Sequence, residues 1–128
     1  MIVIDTHVLL WWANGAHRQL TTSSREAIVR ADVVAFSSVS AWEIGTLARR
    51  GRIDIHFGTA DWLREVKDSF SLEVLPVTLD IAFRAAELQE TLRDPIDCLI
   101  AATALAHNAS LITKDDRIRA SGVVETIW

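Results

Sequence analysis

The chain has one cysteine among 128 residues, Cys98, so it can form no internal disulfide and no thiolate metal centre. Cys98 lies inside an apolar run, and its expected role is packing. Long apolar runs are missing as well. Val8 to Ala13 is only six residues long, against roughly 20 needed to cross a bilayer, so no membrane span is expected. A core-like run begins at Ile2 with no basic leader or small-residue cleavage site, and the cytoplasm is the expected compartment. Glycines are few and scattered: Gly15, Gly45, Gly51, Gly58 and Gly122 make no phosphate-cradling loop, which argues against nucleoside-triphosphate and dinucleotide enzymes. Excess positive charge is also absent. With 17 acids against 13 bases the net charge is -4, so nonspecific electrostatic grip on nucleic acid is excluded unless cations assist.

Half of the residues are apolar and 23% are charged, a composition that fits a packed core and no disordered tail. For this mass, surface scaling gives about two-thirds of the chain's surface buried on folding, enough for one domain over 1–128 without linkers or repeats. Ile2-Val3-Ile4 shows no polar alternation, as in a strand buried on both faces, and it ends at Asp5. A short apolar helix follows over 6–13, closed by Asn14-Gly15. Ser23 to Glu26 has capping-box spacing for a helix reaching Asp32, and Val33–Phe36 reads as a second strand. Ser40 to Glu43 repeats that spacing and opens a helix through Ile44, Leu47 and Ala48. The spacing of Trp62, Leu63 and Val66 predicts a helix over 59–69. Val74–Val77 reads as a short strand limited by Pro76, and Asp80 offers a cap for a helix over 81–91. Asp94-Pro95 restarts a helix that is apolar nearly all round from Cys98 to Ala106. Ser110–Thr113 and 123–128 supply the last strands, with a helical turn from Asp115 between them. Strands alternating with helices predict an α/β fold, a three-layer α/β/α sandwich around a mostly parallel sheet.

In such sheets ligands bind beyond the carboxyl ends of the strands, where Asp5, Glu43, Asp97 and Asp115 are all expected. Each acid has a plain structural explanation. Glu43 can complete a box with Ser40, Asp94 can cap beside Pro95, Asp97 can favour the positive end of its helix, and Asp115 or Asp116 can cap the last turn. Asp5 is harder to explain this way, since an acid ending a buried strand must find a partner. Carboxylates gathered together repel one another and coexist with the help of cations or protons. Oxygen-only ligands select hard ions, so Mg²⁺ or Mn²⁺ fits and zinc does not. His7, His17, His56 and His107 form no pair suited to metal-free acid–base hydrolysis and read as structural or surface residues. Arg49, Arg50 and Arg52 suit either a helix C-terminus or the phosphates of a nucleic acid, and Trp11, Trp12, Trp42 and Trp62 suit either the core or an interface.

Four blocks together resemble the PIN-domain toxins of the VapC type: Met1 to Trp12, Ser38 to Ile44, Arg93 to Ala102, and Leu111 to Asp115. The resemblance implies a PIN-like fold and a Mg²⁺-dependent endoribonuclease, the toxin of a toxin–antitoxin pair, which inhibits translation or growth when free of antitoxin. It implies an RNA substrate, a VapB-like antitoxin, a homodimer and a toxin–antitoxin hetero-oligomer. Carried over residue by residue it gives Asp5, Glu43, Asp97 and Asp115 as the acidic site, Asp5 and Asp97 as metal ligands, and cleavage leaving 5′-phosphate and 3′-hydroxyl ends. Asp115 is favoured over Asp116 by its spacing from Thr113. Leu92 and Cys98 stand where similar sequences often carry a histidine and an arginine, a departure from the family pattern that leaves the carboxylates intact. Two other readings are a receiver-like Mg²⁺-binding signalling domain, with Lys114 as the strand-end lysine, and a silent PIN scaffold that only binds a partner.

Overall fold

Ile2–Ile4 forms the first strand, β1, in the computed structural model, which describes residues 1–128. It is flanked by β2 (Val34–Ser37) and β4 (Ser110–Ile112), and β3 (Glu73–Leu75) and β5 (Thr126–Ile127) form the two edges. The sheet order is β3-β2-β1-β4-β5, and every pairing is parallel, with Val3 opposite both Ala35 and Leu111.

Successive side chains of a strand point to opposite faces, and the two cores follow that alternation. Ile2, Ile4, Phe36 and Ile112 pack against α1 (Thr6–Ala13), α2 (Thr22–Arg30), α3 (Ser38–Arg49) and α4 (Thr59–Ser69). Val3, Ala35, Leu75 and Leu111 pack against α5 (Leu79–Leu92), α6 (Pro95–Ala106) and α7 (Asp116–Ser121). Ile100, Ala101, Ala102 and Ala104 of α6 are fully buried, which is why that helix has no polar stripe. Cys98 is buried in the same core. The result is the α/β/α sandwich expected from the alternation of elements. No helix is long and apolar enough to cross a membrane.

Several boundaries and caps differ from the sequence reading. α2 is capped by Thr21, whose hydroxyl accepts the Ser24 amide at 3.2 Å, and it ends at Arg30 rather than Asp32. α5 is capped by Thr78 rather than Asp80. β2 is displaced by one residue, β3 stops before Pro76, and β5 is shorter than 123–128.

The change at α3 bears on function. Ser37, not Ser40, is its N-cap, so the helix starts a turn earlier and the Ser40–Glu43 box does not form. Ser40 is fully buried and accepts a hydrogen bond from Thr6 Oγ1 at 2.9 Å, which ties α3 to α1. Thr103 of α6 donates to Ser37 Oγ at 3.0 Å, anchoring the end of β2 from the opposite layer. Hydroxyls satisfied in pairs cost little to bury, whereas one left alone costs about 1–3 kcal/mol. No buried side-chain polar atom lacks a partner.

Candidate active site

The sheet order reverses direction at β1, because the chain goes first to β2 on one side and later to β4 on the other. The carboxyl ends of β1 and β4 therefore border the crevice where such folds seat ligands. Asp5 follows β1 directly and is the N-cap residue of α1, yet its carboxylate makes no capping bond. Instead Thr113 Oγ1, just past β4, donates to Asp5 Oδ2 at 2.7 Å. The same hydroxyl accepts the Asp115 amide at 3.0 Å, so one threonine orders the two loops that carry acids. Asp115 caps α7 by accepting the amides of Arg117 at 2.8 Å and Ile118 at 3.2 Å.

Asp97 and Asp94 belong to the start of α6. Asp94 caps it, accepting the amides of Ile96 and Asp97 through Oδ1, and Pro95 takes the position that needs no amide donor. Glu43 lies in the second turn of α3 and, with the box unformed, owes nothing to the backbone. Asp5, Glu43, Asp94, Asp97 and Asp115 line one cavity of about 320 Å³. His7, Trp11, Lys114 and Arg117 complete its wall. Asp116, the alternative fourth acid, is 94% exposed and paired with Arg119 at 3.0 Å.

The acids sense one another. Burial pushes Asp97 up to about pKa 7, with Asp94, Asp115 and Asp5 adding repulsion and Arg117 opposing it. Burial also raises Asp5, against the Thr113 hydrogen bond, and it raises Glu43, with Asp5 and Asp94 contributing. Asp115 goes the other way. Its burial is outweighed by the Arg117 side chain and by the helix amides it caps, which together hold it below the ordinary value. The Arg117 guanidinium stands 3.3 Å from Asp115 Oδ2 and 3.6 Å from Asp97 Oδ2, bridging the two acids with a cation of the chain's own.

As the side chains stand, no three carboxylates are drawn tightly enough to form a finished ligand set. The donor chemistry nonetheless fits one class of ion. Oxygen ligands on a partly buried, self-repelling cluster suit a hard divalent cation, and neither Cys98 nor a group of histidines is placed to make a softer site.

Five wall residues, His7, Trp11, Asp94, Lys114 and Arg117, lie outside the site expected from the sequence, which reads Asp94 only as a helix cap. His7 reads as structural or surface in the sequence, yet it lines the cavity, one helical turn before Trp11. Lys114 and Arg117 flank Asp115, and their signal was their closeness to a strand-end acid. Arg49 lies beside a separate depression with Ile53 and Asp54, and Arg50 closes α3; neither lines the acid cavity, nor does Arg52. Trp42 is 62% exposed, whereas Trp11, Trp12 and Trp62 pack partly against the core. A mainly apolar cavity of about 390 Å³ lies apart, between α3 and α4, and contains no acid.

Both the sequence and the fold are shared with known proteins. The pattern of the PIN domain matches residues 2–123. The chain is 33% identical to Ribonuclease VapC22 of Mycobacterium tuberculosis over 119 residues, which are 92% of this chain and 89% of the relative. The chain therefore belongs to the PIN-domain family, and within it to the VapC type. Among solved structures it is similar to VapBC-5 of Mycobacterium tuberculosis, with 27% identity and a TM-score of 0.61, covering 98% of this chain and 95% of that one. It also resembles the DNA-bound VapBC of Salmonella typhimurium in fold, with a TM-score of 0.69 at 18% identity, covering 98% and 97% of the two chains. Membership in this family sets aside the receiver-like reading.

Proposed function

We propose that this protein is a metal-dependent endoribonuclease, the toxin of a VapBC-type toxin–antitoxin pair, acting as one unit over 1–128. The observation that carries the reading is the convergence of Asp5, Glu43, Asp97 and Asp115 on one cavity at the switch point of the sheet. Its similarity to a relative named a ribonuclease supplies the substrate class.

Asp5 and Asp97 are the proposed metal ligands, and Mg²⁺ is the proposed ion, with Mn²⁺ as a substitute. Bound there, a divalent ion lowers the pKa of water and neutralises charge developing on a phosphoryl group. With Asp97 pushed up to about 7, a cation held there would displace a proton from it. Glu43, free of any capping duty and part of the cavity wall, would accept a proton from the attacking water or complete the ligand shell. Asp115 is the acid held most firmly ionised, since capping and Arg117 both favour its charged form. Lys114 and Arg117 bring positive charge to the same cavity, where the phosphates of an RNA strand would otherwise meet only acids.

The proposed partners follow the solved relatives, which are VapBC complexes. A VapB-like antitoxin, a homodimer and a toxin–antitoxin hetero-oligomer are the expected assemblies, and the cytoplasm is the expected compartment.

The test is incubation of total cellular RNA with purified, antitoxin-free protein in Mg²⁺ or in EDTA, beside an Asp5→Asn variant. Discrete fragments with 5′-phosphate ends, formed only with the ion and lost in the variant, are expected. A folded, metal-loaded protein that leaves every RNA intact would sink the nuclease reading and leave a binding-only scaffold.

A further inference from the structure

One wall of the acid cavity is apolar, and it is a single side chain: Trp11, the only hydrophobic residue among the nine that line it. Trp11 lies in α1, the helix that begins just after Asp5. Its indole is held among other groups rather than left loose. The Trp128 ring lies 6.1 Å away at 49°, and the His7 ring 5.9 Å away at 48°. Lys114 Nζ stands over the indole, 5.6 Å from its centre, and forms no ion pair with the acids around it.

A phosphodiester seated at the carboxylates would bring a base on each side of the reacting phosphate. Single-stranded RNA is recognised mainly by stacking its splayed bases on aromatic faces, with cations following the backbone. Trp11 and Lys114 offer that pairing, a large ring beside an ammonium not engaged by acid, within the cavity that would hold the reacting group. We propose that Trp11 is a nucleobase-stacking platform that receives a base next to the scissile phosphate, with Lys114 contacting the adjoining phosphate. This makes Trp11 a specificity-determining position, and it rests on the ribonuclease reading.

The test uses fluorescence anisotropy with labelled single-stranded RNA oligomers, in the Asp5→Asn background so that the RNA stays intact. Trp11→Ala is expected to weaken binding about 5- to 100-fold, while Trp11→Phe, which keeps a ring, stays within about threefold. Oligomers carrying one abasic nucleotide at successive positions locate the stacked base: at one position the abasic site reproduces the loss, and Trp11→Ala then costs nothing further. Binding of duplex RNA should not distinguish the variants, because its bases are not free to stack. The proposal is overturned if folded Trp11→Ala binds the intact oligomer as tightly as its parent. It is also overturned if the variant loses equal affinity for every abasic oligomer, or if the parent binds no single-stranded RNA. The parent ribonuclease reading fails separately, by absence of cleavage in protein with Asp5 intact.

Discussion

Thr113 Oγ1 donates a 2.7 Å hydrogen bond to Asp5 Oδ2 across 108 positions of sequence, joining the first strand-end acid to the loop after β4. Asp5 is 7% exposed, so this hydroxyl is a principal substitute for the water it has lost. Thr113→Val keeps the shape and removes the donor. It is expected to destabilise the protein by about 1–3 kcal/mol in urea unfolding, with Thr113→Ser restoring most of the loss. Equal stability of the valine variant and the parent would contradict this role.

Asp97 contributes to the pH dependence of the metal-free protein, in the same direction as Asp5 and Glu43. Its folded pKa of about 7 stands above its ordinary value of 3.8, so between those limits the folded chain binds more protons than the unfolded one. Stability therefore falls as pH rises through that window, and the full cost remains above it. Asp115 contributes with the opposite sign: held low, it adds stability above 3.8 that is lost as pH falls further. In EDTA, Asp97→Asn should raise stability at pH 8 by about 2 kcal/mol and leave it nearly unchanged at pH 4. Denaturant unfolding at both pH values measures this, and a loss at pH 8 would be the wrong sign.

Arg117 occupies the space between Asp97 and Asp115 that an added cation would also favour. Exposed pairs of this kind are weak, so the competition is modest. Arg117→Gln is expected to tighten Mn²⁺ binding about two- to fivefold at pH 8 in calorimetric titration, with the difference fading at high salt. Weaker Mn²⁺ binding would mean that Arg117 preorganises the acids rather than competing for them.

Asp94 performs two tasks that substitution can separate. Asparagine keeps the oxygen that caps α6 but removes the charge, whereas alanine removes both. Asp94→Ala should cost about 1 kcal/mol, and Asp94→Asn less than about 0.5 kcal/mol. Both should bring Asp97 down from about 7, because Asp94 is the strongest of its charged neighbours in raising it. Carboxyl chemical shifts followed against pH would show this, and an unmoved Asp97 would contradict it.

What the sequence determined by itself was local or periodic. The unbroken apolar triplet Ile2–Ile4 could only be a strand covered on both faces, and Asp94-Pro95 could hardly be anything but a helix start. Asp5 was legible because a carboxylate ending such a strand needs a partner, and the blocks around Glu43, Asp97 and Asp115 were legible through their resemblance to a family. Tertiary structure decided what depended on competition among alternatives. Ser37 and Ser40 have equal intrinsic fitness as caps; burial of Ser40 against Thr6 settled the matter, and Glu43 was released from the backbone as a result. Spacing from Thr113 already favoured Asp115 over its chemically identical neighbour Asp116, and the direction in which α7 leaves the sheet sends the first into the cavity and the second into solvent. Lys114, Arg117 and Trp11 became wall residues for the same reason. A side chain's neighbours across a sheet edge are fixed by how the layers pack, and spacing along one chain carries no record of that.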